Sequence, residues 1–340
     1  MAKWMLAARK ADFDAIAQKF HISPVLARIL RNRDLVTEQE IDRFLNGTLA
    51  DLHDSSLLKG MREAGQCLFR KIGQRVKIRI IGDYDVDGVC SAYILLRGLR
   101  LLGADVDTVI PHRMKDGYGL NDHLIEQAKE DGIDTILTCD NGIAAAEEIA
   151  YAKSMGMTIV VTDHHEVQEE LPPAQVIVNP RQTDCPYPFK KLCGAAVAWK
   201  LVGELWRQMK LPMAALYDDL LMFAGFATVG DVMDLTGENR ILVREGLKRL
   251  RMTTHPGMSA LIEVNELARD TLSAFHIGFV LGPCINASGR LATAKRALEL
   301  LDTEEQDLAL ERAAELKHLN DERKELTEQG LTQAVDLIEH

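Results

Sequence analysis

The sequence has six cysteines, Cys67, Cys90, Cys139, Cys185, Cys193 and Cys284, and no C-x-x-C pair among them. Thiols scattered in this way exclude a short disulfide-stapled scaffold, lack the spacing of a structural zinc site, and point to a reducing, cytoplasmic setting. No apolar run approaches the roughly 18 residues of a membrane helix, and the N-terminus has only a brief apolar stretch before Lys10, so neither export nor a membrane partner is expected. Internal repeats and low-complexity tracts are missing as well. There is also no excess of positive charge: the formal net charge is −11, which would argue against a polyanionic ligand if it were evenly spread. It is not. Residues 301–340 carry 12 Asp or Glu against 4 Lys or Arg, leaving 39 acids and 36 bases in the first 300.

What is present is ordinary for a folded chain of 340 residues, 47% hydrophobic and 27% charged, enough for a sizeable core and for two domains or one large one with extensions. Up to about residue 70 the pattern is helical and polar-rich, with a capping box at Thr37-Glu38-Gln39-Glu40 opening a helix through Phe44. Then come short β-branched runs at Val76–Ile81, Asp105–Ile110, Thr135–Thr138, Thr158–Val161 and Val176–Val178. Helix-length apolar periodicity at Val89–Leu102, Asn121–Glu130 and Ala144–Met155 alternates with them. The fold class read from this alternation is α/β, a parallel sheet flanked by helices on both faces. After Pro180 the segments Ala195–Met209, Ala214–Ala227, Arg240–Arg251, Ser259–Leu267 and Ala294–Leu301 read as helices, and the last 40 residues as one long or once-interrupted amphipathic helix. We therefore expect a helical lead-in over 1–70, an α/β core over 71–230, its helical completion over 231–300, and an acidic connector helix over 301–340.

In an open parallel sheet, ligands bind beyond the carboxyl ends of the strands. Here the first run continues into Gly82-Asp83-Tyr84-Asp85-Val86-Asp87-Gly88, the third into Cys139-Asp140-Asn141-Gly142, and the fourth into Asp163-His164-His165. One Asp after a strand is common, because Asp favours turns and helix caps. Three acidic clusters at one rim are another matter, and alternation along an extended segment would let Asp83, Asp85 and Asp87 converge. Crowded carboxylates repel unless a cation sits among them. Hard oxygen ligands with imidazole suit Mn²⁺ or Mg²⁺, and the number of carboxylates suggests two ions clamping a phosphoryl transfer. Gly88, Gly142 and Gly194 each precede a helical stretch and offer backbone N–H groups to phosphate, although glycine at helix ends is common in any case.

In order and spacing these three clusters resemble the first three motifs of the DHH phosphoesterase superfamily. Gly230-Asp231-Val232-Met233-Asp234 resembles its fourth motif, and Gly282-Pro283-Cys284-Ile285-Asn286-Ala287-Ser288-Gly289-Arg290-Leu291 a signature of its RecJ branch. The resemblance spans roughly residues 70–300. It implies a DHH phosphoesterase domain whose metal ligands are Asp83, Asp85, Asp87, Asp140, His164 and Asp231, with His165 near the scissile phosphate and Asp163 orienting its neighbours, so that Asp140, Asp163 and His165 carry the catalysis. Asp234 would share a helix face with Asp231, leaving either as the ligand. Many superfamily members have a histidine where this chain has Ile81, which implies that one metal is held differently or more weakly. Arg113 is implied to hold the 5′ phosphate end, and Asn286, Ser288 and Arg290 to contact the scissile region. Tyr118 is as compatible with loop packing as with base stacking.

The implied activity is a 5′ to 3′ exonuclease of single-stranded DNA serving repair and recombination, with a helicase or a single-strand-binding protein as candidate partners. The resembling exonucleases continue into further domains, so the acidic helix is expected to lead toward a missing one. A DHH phosphoesterase of short oligoribonucleotides, cyclic dinucleotides or pyrophosphate is the alternative, and a non-catalytic binding module the third reading.

Overall fold

The computed structural model describes residues 9–113, 116–117, 119–212 and 220–339. Strands β1 (Ile78–Ile81), β2 (Val106–Val109), β3 (Thr135–Cys139), β4 (Thr158–Thr162) and β5 (Val176–Val178) pair in parallel in the order β2-β1-β3-β4-β5. The chain leaves β1 for β2 on one side and returns to β3 on the other. The switch point, where such sheets place their ligands, therefore lies between β1 and β3.

Alternation within the strands shows why the sheet is covered twice. Ile78 and Ile80 of β1, Leu137 of β3 and Val160 of β4 enter the larger core, whereas Ile81, Ile136, Ile159 and Val161 enter a smaller one on the opposite face. Strands buried on both faces read as continuous apolar runs, as these do. The larger core is closed by α4 (Met61–Gly73), α5 (Val86–Leu101) and α8 (Gly194–Gln208), the smaller by α6 (Asp122–Glu130) and α7 (Ala146–Ser154). The lead-in helices α1 (Phe13–Phe20), α2 (Pro24–Asn32) and α3 (Glu38–Asn46) bury a separate patch around Leu30, Leu35 and Ile41, and the expected capping box joins Thr37 and Glu40.

Helices α9 (Leu221–Gly230), α10 (Gly237–Met252), α11 (Pro256–Val264), α12 (Gly282–Leu291), α13 (Lys295–Asp302) and α14 (Gln306–Glu339) follow. Of the expected Ala214–Ala227 helix, residues 214–219 lie outside the described ones. Helix α12 was not anticipated: its Gly-Pro start and Ser-Gly interior look like turn residues, yet it continues without a break from a helical turn at Ala274–His276 through a π-helical segment at Ile277–Leu281, and its small residues permit close packing. Helix α14 buries Ala309, Ala313, Leu316 and Leu319, then runs on with Leu326, Leu331 and Val335 exposed. Among the described residues no helix is long and apolar enough to cross a membrane.

Candidate metal centre

The three acids after β1 converge by a route other than strand alternation. Asp85 is the N-cap of α5, its Oδ1 accepting the N–H groups of Asp87 at 2.9 Å and Gly88 at 3.1 Å. A carboxylate is a strong cap, so the helix starts at Val86 rather than at Val89, and Asp87 lies in its first turn. Asp87 is fully buried and accepts N–H bonds from Gly194 at 2.6 Å and Ala195 at 2.8 Å, the first residues of α8. The N–H groups of Gly88 and Gly194 thus bind carboxylates of the centre, not phosphate, and that of Ile143, after Gly142, binds Asp163. Glycine is needed at position 194 for space, since a Cβ there would come within 2.7 Å of the Asp140 Cβ.

Asp140 follows β3 in the left-handed region, φ +60°, with its N–H bonded to the Thr162 carbonyl. Asn141 beside it donates its side-chain amide to the carbonyls of Ile81 at 3.0 Å and Cys139 at 2.9 Å, joining the ends of β1 and β3. After β4, Asp163 is a buried acceptor: Oδ1 takes the N–H groups of His164 and His165 and meets His165 Nδ1 at 2.7 Å, while Oδ2 takes the N–H of Ile143. Asp231 caps the C-terminus of α9 and Val232 turns into the left-handed region, so Asp231 and Asp234 share no helix face. Asp234 pairs with Lys191 at 2.5 Å, and Asp231 faces the histidines.

Among the described residues, ligand atoms lie within 4.8 Å of one another in three groups: Asp83, Asp85 and Asp140; Asp87, His164 and Asp231; and Asp140, His164 and His165. The first two groups share no member and are linked by the third. His164 Nε2 is 3.0 Å from Asp140, 3.5 Å from Asp87 and 3.8 Å from Asp231, yet neither ring nitrogen of this buried histidine makes a hydrogen bond among the described residues. Burial lowers its pKa despite Asp87, so the ring is neutral and these contacts are not ion pairs. Asp83 Oδ1 is likewise buried without a partner. Burial first, and then Asp85, pushes the Asp83 carboxyl up to about 7. Burial and Asp87 do the same to Asp231, also to about 7, and raise Asp85 and Asp140. Asp163 moves the other way: its hydrogen bonds with His165 and the backbone outweigh burial and hold it below the usual carboxylate range, while the same bond raises His165. Oxygen donors with neutral imidazole, short of positive charge, are what hard divalent cations require, and the residues fit Mn²⁺ or Mg²⁺. Cys139, buried and with its thiol pushed up by burial, is a strand residue.

The remaining candidates lie around this rim. Arg113 is exposed, its guanidinium 5.3 Å from the Tyr84 ring. Asn286 reaches the centre by its Oδ1, which accepts the N–H of Val86 at 2.8 Å. Ser288 is fully buried and donates to the Ile285 carbonyl within α12, so its hydroxyl is turned inward, away from any phosphate. Arg290 is exposed. Tyr118 is outside the described residues. Sequence reasoning overlooked Arg181, which follows β5 through Asn179-Pro180, pairs with Glu166, and adds positive charge near His164 and Asp231. The rule that located the other clusters, inspection of the residues after each strand, would have found it.

Residues 77–224 match the DHH family, N-terminal domain. Over 325 residues, 96% of this chain and 40% of the relative, the sequence is 39% identical to the single-stranded-DNA-specific exonuclease RecJ of Bacillus subtilis (strain 168). A crystal structure of exonuclease RecJ bound to manganese superposes with a TM-score of 0.76 at 36% identity, covering 84% of this chain and 70% of that one. The RecJ of Thermus thermophilus in complex with Mn²⁺ gives a TM-score of 0.80 at 32% identity, over 94% of this chain and 45% of that one. The chain spans about half the length of the curated relatives it matches.

Proposed function

This chain belongs to the DHH family, in its RecJ branch, and on that premise we propose that it is a metal-dependent phosphodiesterase that removes nucleotides from the 5′ end of single-stranded DNA. The observation that carries this reading is His164, a buried neutral imidazole whose Nε2 faces Asp87, Asp140 and Asp231 without a hydrogen bond. We assign Asp83, Asp85 and Asp140 to one divalent ion and Asp87, His164 and Asp231 to a second, Mn²⁺ or Mg²⁺. Bound there, the two ions would neutralise phosphoryl oxygens and lower the pKa of a water at neutral pH.

The chain's own residues do the rest. Gly194 and Ala195 fix the Asp87 carboxylate by two N–H bonds, and the turn at Asp140 aims its side chain at both groups of ligands. Asp163 holds the Nδ1 end of His165 and favours its protonated form, so the imidazolium can donate to an oxygen of the phosphate or of the departing group. Arg113, Arg181 and Arg290 supply guanidinium forks suited to a phosphate backbone. In this reading residues 71–300 are the catalytic unit, 1–70 a lead-in and 301–340 a connector. The setting is the cytoplasm, and a helicase and a single-strand-binding protein are the partner classes.

The test is release of mononucleotides from end-labelled single-stranded DNA by this chain and by a longer chain that includes the regions its relatives have. Mn²⁺-dependent release that falls about a thousandfold or more in Asp140→Ala is expected. Cleavage of dinucleotides with none of long DNA would move the substrate to short oligonucleotides. Silence of the longer chain on every phosphodiester would overturn the reading.

A further inference from the structure

Beside the metal centre, and sharing His165 and Asp163 with it, lies a pocket of about 560 Å³ lined also by Leu120, Ile143, Ala144 and Ala145. We propose that this pocket is a nucleobase subsite, which takes the base of the nucleotide whose phosphate lies at the metal centre. The inference rests on the phosphodiesterase reading above.

Four features carry it. The volume falls within the range of small-ligand sites and suits a nucleoside. Leu120 and Ala145 belong to the smaller core, and Ile143 and Ala144 extend the aliphatic lining beside them, so a planar apolar ring can be buried there without stranding polar groups. Glu148 also lines the pocket, as does Glu166, which is paired with Arg181, so the amino groups of a base would find carboxylate acceptors there. His165 forms the shared wall: with its Nδ1 held by Asp163, the ring stands at the boundary between the anionic and the neutral ends of one bound nucleotide.

The experiment titrates the full 340-residue chain with deoxyadenosine monophosphate and separately with inorganic phosphate, each with and without Mn²⁺, beside Ala144→Trp. Ala144 is exposed at the pocket, so tryptophan there fills the space without repacking a core, and retained Mn²⁺ binding reports an intact centre. We expect the wild type to bind the nucleotide about tenfold or more tighter than phosphate, and the variant to bring the two within about twofold of each other while leaving phosphate unchanged. Equal affinities in the wild type, or an unaltered ratio in Ala144→Trp, overturn the subsite. The Mn²⁺ requirement, read from the same titrations, judges the metal centre separately from the pocket.

Discussion

Among the described residues, the buried pair Lys200–Glu238 and the metal centre are clusters of charge built on opposite terms. Lys200 and Glu238 are both almost fully buried and meet at 3.0 Å. The carboxylate also accepts from the Tyr187 hydroxyl at 2.5 Å and the His53 N–H at 2.7 Å, and Lys200 reaches the His53 carbonyl at 3.3 Å. That cluster contains its own counter-charge and ties the segment after the lead-in helices to α8 and α10. The metal centre gathers Asp83, Asp85, Asp87, Asp140 and Asp231 around an imidazole that burial keeps neutral, and burial raises the carboxyls of Asp83, Asp85, Asp140 and Asp231. Burial of charge alone therefore does not mark a functional site. A deficit of counter-charge does, because the fold tolerates it only where something from outside supplies the difference.

The largest way to test this contrast is Lys200→Ala, which leaves the Glu238 carboxylate buried without its cation. A loss of about 3–5 kcal/mol in denaturant unfolding is expected, with Mn²⁺ affinity unchanged. A smaller loss accompanied by weaker Mn²⁺ binding would show that the clusters are not independent.

A second test uses pH. Asp83 and Asp231 sit at about 7, above the unfolded carboxylate value, so between roughly pH 4 and 7 the folded protein holds protons that the unfolded chain has released. Their contribution to stability is fully present below the unfolded value and is lost as pH rises through 7. The metal-free Tm should fall by roughly 5 °C between pH 5 and 8, Mn²⁺ should cancel the fall, and Asp231→Asn, which leaves Asp83 in place, should reduce it by about half while weakening Mn²⁺ binding. A metal-free Tm independent of pH over that range would contradict the assignment.

The smallest effect belongs to Asn286→Ala, which removes the acceptor of the Val86 N–H at the start of α5. About 1 kcal/mol of stability should be lost, with a severalfold drop in Mn²⁺ affinity because Asp85 and Asp87 frame that turn. Asn286→Asp, which keeps an acceptor, should recover most of the stability.

Much of this was legible in the residues. All five strands announced themselves as short β-branched runs, and the acids and histidines beyond β1, β3 and β4 stood out because the sheet rule says where to look. What the residues hid was local competition. Asp85 caps a helix, so Asp87 is placed by a helical turn and by the N–H groups of α8, more than a hundred positions away in the chain. The tight turn after α9 separates Asp231 from Asp234, and no periodicity reveals a left-handed Val232. Helix α12 was hidden by turn-forming residues that tertiary packing overrides. Arg181 was missed because β5 is only three residues long and Asn-Pro-Arg reads as a turn.

The amide of Asn141 holds the carbonyls that end β1 and β3, and so it clasps the two arms from which Asp83 and Asp140 project. With that clasp closed, the arms should move as one rigid body, and an incoming ion should meet its oxygens already in position. Amide protons along 82–88 and 139–143 should then exchange with solvent as a single cooperative unit, with a rate that the ion slows but a pattern it leaves unchanged.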